Sequence, residues 1–275
     1  MLQEILKQNI SKLSVIYAII LAEMFIFSFL PYLTGLAIDD LLKQKYDMLF
    51  LYASALLTAI VFGTLRRLYD TRIFSSIYIS KAKDIINTLK KSNLDGKRII
   101  SRYQLVGTYT DFFEFTFPTI TNIFIGIAVA MFMIFYIKHS LLIIISIYVS
   151  LTIFIHAHSS KKSQKIEYQL QHTREDVAHG LAENHDCTQF LDTQKLLMVK
   201  KSDIESINWC ICDSLSTILD ITTILIVCNS GLTIGEITAI LLYTSKITEK
   251  TNTAFWFFTQ IRILQMSDDL LKKSN

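Results

Sequence analysis

The chain has 275 residues, of which 51% are hydrophobic and 19% charged, with a mean hydropathy of +0.39 and a formal net charge of +3. This composition is too apolar for a soluble domain of this length, so we expect the chain to lie in a lipid bilayer. The modest net charge, with basic residues gathered in particular segments, argues against nucleic-acid binding. The four cysteines form neither a CxxC pair nor a disulfide framework, which argues against a disulfide-rich secreted domain.

Six apolar segments are candidates for membrane crossings, since a hydrocarbon core of roughly 30 Å takes about 20 apolar helical residues. They are, in chain order, Leu13 to Ala37, Met48 to Leu65, Phe112 to Ile137, Leu141 to Ile155, Ile207 to Cys228 and Leu232 to Phe258. The fourth reaches the required length only with its flanking residues, Ser140 and His156 to His158. The first is too long for a signal peptide and no A-x-A cleavage site follows it, so we expect it to remain in the mature protein.

Lysine and arginine are concentrated in two gaps between these segments, at 66–102 and 161–201. Because basic loops stay in the cytoplasm, we predict that both gaps and both termini are cytoplasmic. The other three connections are short and hold three lysines in all. The pattern predicts a multi-pass protein of the plasma (inner) membrane.

Both basic gaps lack proline, and the first repeats apolar residues such as Ile77 and Ile85 at helical spacing between lysines. We therefore expect an all-α membrane protein whose six transmembrane helices continue into two long cytoplasmic helical hairpins. Residues suited to turns mark the two hairpin tips. They are Asn93, Asp95, Gly96 and Lys97 in the first hairpin, and His179-Gly180 followed by Glu183, Asn184 and Asp186 in the second.

A short polar turn separates the fifth and sixth apolar segments, within the stretch GLTIGEITAILLYT. Gly231 can adopt a turn conformation, Thr233 can cap the helix that follows, and Glu236 is favourable near the positive end of that helix. We predict that this stretch is the outer turn before the last membrane helix.

This turn resembles the one between the fifth and sixth helices of the transmembrane region of ABC exporters. The matching residues, in order, are Gly231, Leu232, Thr233, Gly235, Glu236, Ala239 and Tyr243. PYLTGLAIDDLL, Pro31 to Leu42, resembles the end of that family's first helix. DGKRIISR, Asp95 to Arg102, resembles the segment after its first hairpin tip, although Tyr103-Gln104-Leu105-Val106 stand where the family often continues with an aspartate.

The resemblance implies a type I exporter unit that works as a homo- or heterodimer in membrane lipid. Two six-helix units would enclose one pathway, exchange helices through the hairpins and alternate access between the two sides. The hairpin tips, Asn93 to Lys97 and Glu183 to Asp186, would be docking surfaces for an ATPase.

An exporter half-unit normally continues into an ATP-binding domain with the phosphate loop G-x-x-x-x-G-K-[ST]. The only Gly-Lys pair, Gly96-Lys97, has Lys91 in place of the first glycine and Arg98 in place of Ser or Thr. We expect one transmembrane domain over residues 1–275, with no enzymatic activity or cofactor of its own and with ATP hydrolysed by a separate chain. A non-transporting membrane scaffold on the same fold and an ion-coupled secondary transporter remain as alternatives.

Charged side chains inside the apolar segments are the candidate site residues, since each costs roughly 2.5–3.5 kcal/mol near the bilayer centre on insertion scales. Such groups either hold helices together or line a substrate or ion pathway, and both interpretations stay open. The residues are Glu23, Asp213, Asp220, Lys246, Glu249 and Lys250.

Counting depth at about 1.5 Å per residue predicts how these charges pair. Asp220 lies nearly level with Lys246, and Asp213 with Lys250. We predict these two ion pairs between the fifth and sixth helices or across a dimer, with Glu23 completing the cluster.

Two other groups of residues have plainer interpretations. His156 and His158 are two residues apart and so point to different faces of a helix, and we expect no metal site. The run Phe255 to Phe258 is predicted to be an interfacial aromatic belt, with ligand stacking as the alternative.

Overall fold

The computed structural model of the chain describes residues 2–91, 111–182 and 188–273. Within these ranges nearly every residue is helical, as the all-α prediction requires. The helices are α1 (Leu2–Leu42), α2 (Asp47–Lys91), α3 (Phe117–Lys138), α4 (Leu141–Ala182), α5 (Thr188–Cys228) and α6 (Ile234–Lys273). A π-helical turn, Phe112–Thr116, leads into α3, and Pro118 lies in the first turn of α3, where its missing N–H is not needed.

Five of these helical segments are long and apolar enough to cross a membrane, namely α1, α2, α4, α5 and the π-helical turn continued by α3. The described part of α6 is not among them. Four charged residues, Glu236, Lys246, Glu249 and Lys250, interrupt its apolar positions. Composition therefore supports five of the six predicted crossings, and α6 requires a separate argument from packing.

The helices extend well beyond the apolar segments, as the sequence predicts. α2, α4 and α5 contain 45, 42 and 41 residues, which corresponds to about 60 Å at 1.5 Å per residue. That is about twice the thickness of a hydrocarbon core. Each of these helices therefore carries a long segment that a bilayer would not cover.

The predicted break at His179-Gly180 is wrong, because α4 stays helical through both residues to Ala182. An isolated glycine lowers helix stability by only about 1 kcal/mol. The predicted tip residues lie outside the described ranges. They are Asn93, Asp95, Gly96, Lys97, Glu183, Asn184 and Asp186.

Helix α6 lies at the centre of the bundle and contacts α1, α3, α4 and α5. Its residues Ile240, Tyr243 and Ile247 are fully buried in an apolar cluster formed with α3, α4 and α5. A second apolar cluster joins α1, α2 and the π-helical turn through residues that include Ile16 and Phe74. The most highly charged of the predicted crossings thus has the most neighbouring helices.

Helices α4 and α5 are tied together beyond their apolar segments by charged groups. Lys201 Nζ donates to Glu167 Oε2 at 2.8 Å, and Arg174 Nη1 lies 3.9 Å from the other carboxylate oxygen. Glu167 is only 9% exposed. Its pairing with Lys201 is therefore shielded and stronger than an ordinary surface pair.

The turn between α5 and α6 has the structure that its sequence predicts. Gly231 has φ of +66°, a conformation that favours glycine. The Glu236 amide donates to Thr233 Oγ1 at 3.1 Å, and the Thr233 amide donates to Glu236 Oε2 at 2.9 Å. These reciprocal bonds form a capping box, a feature that satisfies two amides at a helix start.

Helix α1 holds the start of α6 directly. Asp39 Oδ2 accepts from Thr233 Oγ1 at 2.6 Å, and Asp39 Oδ1 accepts from the Gly235 amide at 2.8 Å. One turn earlier in α1, Gly35 approaches so closely that a Cβ there would overlap the Gly235 carbonyl oxygen. Two of the three motifs that resemble those of exporters, the one in α1 and the one before α6, therefore contact each other.

Replacing Gly35 with alanine tests this close approach. The added Cβ would force α1 and α6 apart, and we expect the protein to lose about 1–3 kcal/mol, the usual penalty of overpacking. The measurement is thermal unfolding of the purified protein in detergent.

Gly126→Ala is the matched control, because a Cβ there would meet Lys250 Cε at 3.5 Å, an ordinary contact. We expect its melting temperature to equal or exceed that of the natural chain. Equal melting temperatures for Gly35→Ala and Gly126→Ala would contradict the tight α1–α6 contact.

Candidate functional site: charged groups and a polar pocket around helix α6

Lys246, near the middle of the predicted sixth crossing, donates from its ammonium group to the backbone carbonyl of Phe27 in α1. That carbonyl lacks its usual helical donor, because the residue four positions later is Pro31, which has no N–H. Pro31 of α1 thus leaves the Phe27 carbonyl free to accept a hydrogen bond, and Lys246 of α6 donates it. A cation and an unpaired carbonyl, each unfavourable in lipid, satisfy each other.

Lys250 pairs with its neighbour in sequence, Glu249, with Nζ 3.1 Å from Oε1. The aliphatic stem of Lys250 passes Gly126 of α3, where the absence of a side chain leaves it space. The Glu249 side chain is 65% exposed. This pair keeps Lys250 against α3 and leaves the glutamate at the bundle surface.

Glu23 of α1 pairs with Arg66 of α2. Its Oε2 lies 3.2 Å from Arg66 Nη1, close enough for an ion pair but without hydrogen-bond geometry. Gly63 faces the same carboxylate, and a Cβ at this position would lie 2.9 Å from Glu23 Oε1. Glu23 therefore joins α1 to α2 and does not complete a cluster with the charges of α5 and α6.

The acids of α5 do not form the predicted ion pairs within this chain. Asp213 Oδ1 accepts from Asn252 Nδ2 at 3.1 Å, and Lys250 is bound to Glu249 instead. Asp220, partly buried, has no ion pair among the described residues, since Lys246 turns toward α1. The lysines of α6 point away from these acids, Lys246 toward α1 and Lys250 toward Glu249 and α3. Pairing of Asp220 across a dimer remains a prediction.

A pocket of about 440 Å³ lies between α4, α5 and α6. Its lining combines carboxylates, polar groups and two aromatic side chains. The residues are His156 from α4, Trp209, Cys212 and Asp213 from α5, and Glu249, Asn252, Thr253 and Phe255 from α6. This volume lies within the range of small-molecule sites, and the combination of acceptors with aromatic walls is typical of them.

His156 forms the buried inner wall of this pocket and is 1% exposed. Asn208 Nδ2 lies 3.0 Å from its Nδ1 and Cys212 Sγ lies 3.8 Å away, while Phe255 packs on the ring with centroids 5.7 Å apart. Asn208 Oδ1 also lies 3.3 Å from Nδ1, so the Asn208 amide fits either tautomer of the ring. The Thr251 backbone lies near the ring, yet Nε2 has no partner of hydrogen-bond geometry in the described parts of the chain.

The pocket was not predicted from the sequence, although signals for it exist. Phe255 is buried in the pocket wall, so the interfacial-belt interpretation is wrong for this residue. A histidine at the end of an apolar segment, with an asparagine at the start of another, is a combination that favours a buried polar contact. Arg66 begins the first basic gap, which predicts the orientation of the chain, and in the structure it is also the ion-pair partner of Glu23.

The family comparison agrees with this architecture. The chain matches the model of the ABC transporter transmembrane region over residues 2–235, which includes α1 to α5 and the turn that opens α6. The chain therefore belongs to the family of ABC transporter transmembrane regions. It is a membrane protein with the fold of an ABC transporter membrane subunit. No curated protein matches the chain as a relative.

A double-mutant cycle tests the contact between Lys246 and the carbonyl freed by Pro31. In the natural chain, Lys246→Met leaves the Phe27 carbonyl without a donor, at a penalty of about 1–3 kcal/mol. In a Pro31→Ala background the alanine N–H can supply that donor, so the same substitution should be less destabilising by a similar amount. Unfolding free energies of the four proteins in detergent measure the difference.

Lys250→Met in the same two backgrounds is the control, since Lys250 pairs with Glu249 and not with α1. Its effect should be additive with Pro31→Ala to within about 0.5 kcal/mol. Additivity of Lys246→Met with Pro31→Ala would show that the freed carbonyl does not hold the lysine.

Proposed function

We propose that the chain is the membrane-spanning subunit of an ABC-type exporter that works as a dimer, with ATP hydrolysed by a separate chain. The observation that carries the proposal is the family match, which extends over more than four-fifths of the chain. It is supported by the two exporter-like motifs, in α1 and before α6, that contact each other through Asp39.

The proposal requires α6 to cross the membrane despite its charges. Packing supports this, because α6 contacts four other helices and Lys246 is bound to the Phe27 carbonyl of α1. The buried Thr244 hydroxyl donates to the Ile240 carbonyl one turn earlier, which removes another unpaired polar group. We propose six crossings, with both termini and the lysine-rich helix ends in the cytoplasm.

A dimer gives the remaining exposed groups a suitable environment. In one chain Asp213 and Glu249 are exposed at the level of an apolar segment, where lipid would be unfavourable for a carboxylate. Many apolar side chains of α2 and α5 are exposed as well, among them Phe50 at 72% and Ile218 at 60%. A second six-helix unit would cover part of this surface and place the acids beside a water-filled pathway.

We propose that a separate ATP-binding chain supplies the energy; within the 275 residues no G-x-x-x-x-G-K-[ST] sequence occurs. Two helical arms reach far enough past the lipid to contact a soluble domain. The first arm contains the end of α2, and the second contains the end of α4 and the start of α5. We propose that their tips near Asp95-Gly96-Lys97 and Glu183 to Asp186 dock an ATPase.

Co-isolation tests this proposal. The protein, extracted from native membranes in mild detergent, should bring with it an ATP-binding chain that is labelled by azido-ATP, while the 31.6 kDa band is not labelled. Alanine at Asp95 and Lys97, together with Asp186→Ala, should reduce the recovered ATPase several-fold. The physical reason is the loss of the charged tip surface.

The control carries alanine at Lys43 and Lys45, in the turn between α1 and α2 at the opposite end of the bundle, and should recover the ATPase in full. Flux driven by an ion gradient without an ATPase would instead favour a secondary transporter. Recovery of neither ATPase nor flux would favour the membrane scaffold. Labelling of the 31.6 kDa band itself would contradict the separate-chain proposal.

A further inference from the structure

We propose that the pocket between α4, α5 and α6 binds an organic cation, a small amine that carries an aromatic or apolar body. This inference rests on the proposed function, in that the ligand would be a transported substrate. The pocket gives three independent indications of this chemistry, from its charge, its walls and an unsatisfied nitrogen.

The charge of the pocket is negative. Two carboxylates, Asp213 and Glu249, belong to the lining, which contains no lysine or arginine, while Lys250 pairs with Glu249 from outside the lining and Lys246 also lies near Glu249. Asp213 is held by Asn252 through Oδ1 alone, and its Oδ2 has no hydrogen bond to any other described residue. The Asn252 carbonyl oxygen, Oδ1, is buried without a donor. Acceptors that lack donors at one place favour a ligand with an ammonium group.

The walls of the pocket are aromatic on two sides, from Trp209 of α5 and Phe255 of α6. An aromatic face attracts a cation within about 6 Å, most strongly for tryptophan. Phe255 is fixed by packing against His156, while Trp209 is 63% exposed and able to cover a ligand from outside. The same walls offer apolar contact to the body of an amine.

The inner wall contains a ring nitrogen that forms no hydrogen bond with any described residue. His156 is buried and lines the pocket, and its Nε2 has no hydrogen-bond partner among the described residues. Leaving a buried polar atom unpaired costs about 1–3 kcal/mol, so a group from outside the chain would stabilise this wall. A primary amide on the ligand, beside its ammonium group, offers this nitrogen both an acceptor and a donor.

Tryptophan fluorescence of the purified chain in detergent tests the proposal. The chain has two tryptophans, so Trp256→Phe leaves Trp209 as the sole reporter at the pocket. L-phenylalaninamide, a cation with an aromatic ring and an amide oxygen, should quench this fluorescence saturably. N-acetyl-L-phenylalaninamide, which has the same body without the charge, should bind at least tenfold more weakly.

Asp213→Asn, in the Trp256→Phe background, should weaken binding of L-phenylalaninamide at least tenfold. Asp220→Asn is the matched control, since Asp220 lies two turns further along the same face of α5 and outside the pocket lining. The affinity of the Asp220→Asn variant for L-phenylalaninamide should stay within twofold of that of the Trp256→Phe background. Size-exclusion chromatography establishes that each variant is folded, and the comparison of the two amides decides the question even if Asp213→Asn does not fold.

Equal affinity for the charged and neutral amides, equal effects of the two aspartate substitutions, or no saturable quenching would each overturn the cation site. The assay needs neither ATP nor a partner. If the chain binds the amine but no ATPase is co-isolated, the transport proposal is contradicted and the cation-site proposal stands. If an ATPase complex is isolated but binds no amine, only the cation-site proposal is contradicted.

Discussion

The structure depends on the close approach of helices α1 and α6. Gly35 and Gly235 bring the two backbones together, and Asp39 accepts hydrogen bonds from the residues that begin α6. Small residues permit such proximity in membrane helices, where no hydrophobic effect drives the helices together. Because Phe27, Pro31, Gly35 and Asp39 recur every four residues, they form one face of α1, and this face lies along α6 down to Lys246. The contact thus supplies hydrogen-bond partners both for the start of α6 and for Lys246 in its middle.

Fixing α6 against α1 determines where its other side chains point. With Lys246 directed to the Phe27 carbonyl, Glu249 and Asn252 lie on a different side of α6, toward α5 and the pocket. The polar groups of α6 therefore serve two purposes. One set joins the helices of a single unit, and the other presents acceptors and aromatic walls to an open space, as a binding site in a transport subunit requires.

The apolar segments of the described helices could be predicted from the sequence, and so could the cap of α6, because hydropathy and turn chemistry are local properties. The pairing of charges could not, since depth along a helix does not give direction around it. Pro31 frees a carbonyl on α1 that binds Lys246, so Asp220 has no lysine partner among the described residues. Counting depth along the helices would, by contrast, have predicted the Glu23–Arg66 pair. Glu23 lies about 21 Å from the outer end of its segment and Arg66 about 27 Å from the outer end of the next, a difference that an arginine side chain spans. Burial of His156 depends on three helices at once, so the histidine and asparagine at the segment ends indicate a polar contact but do not locate the pocket.

The central claim is that α6 crosses the membrane although composition alone does not identify it as a crossing. In a chain with its four cysteines replaced, Asn229→Cys places a thiol in the turn before α6, and Ser267→Cys places one near its other end. A membrane-impermeant maleimide added to intact cells should label the first variant and should label the second only after permeabilisation. Labelling of both variants from the same side would show that α6 does not cross, and the arrangement proposed here would be wrong.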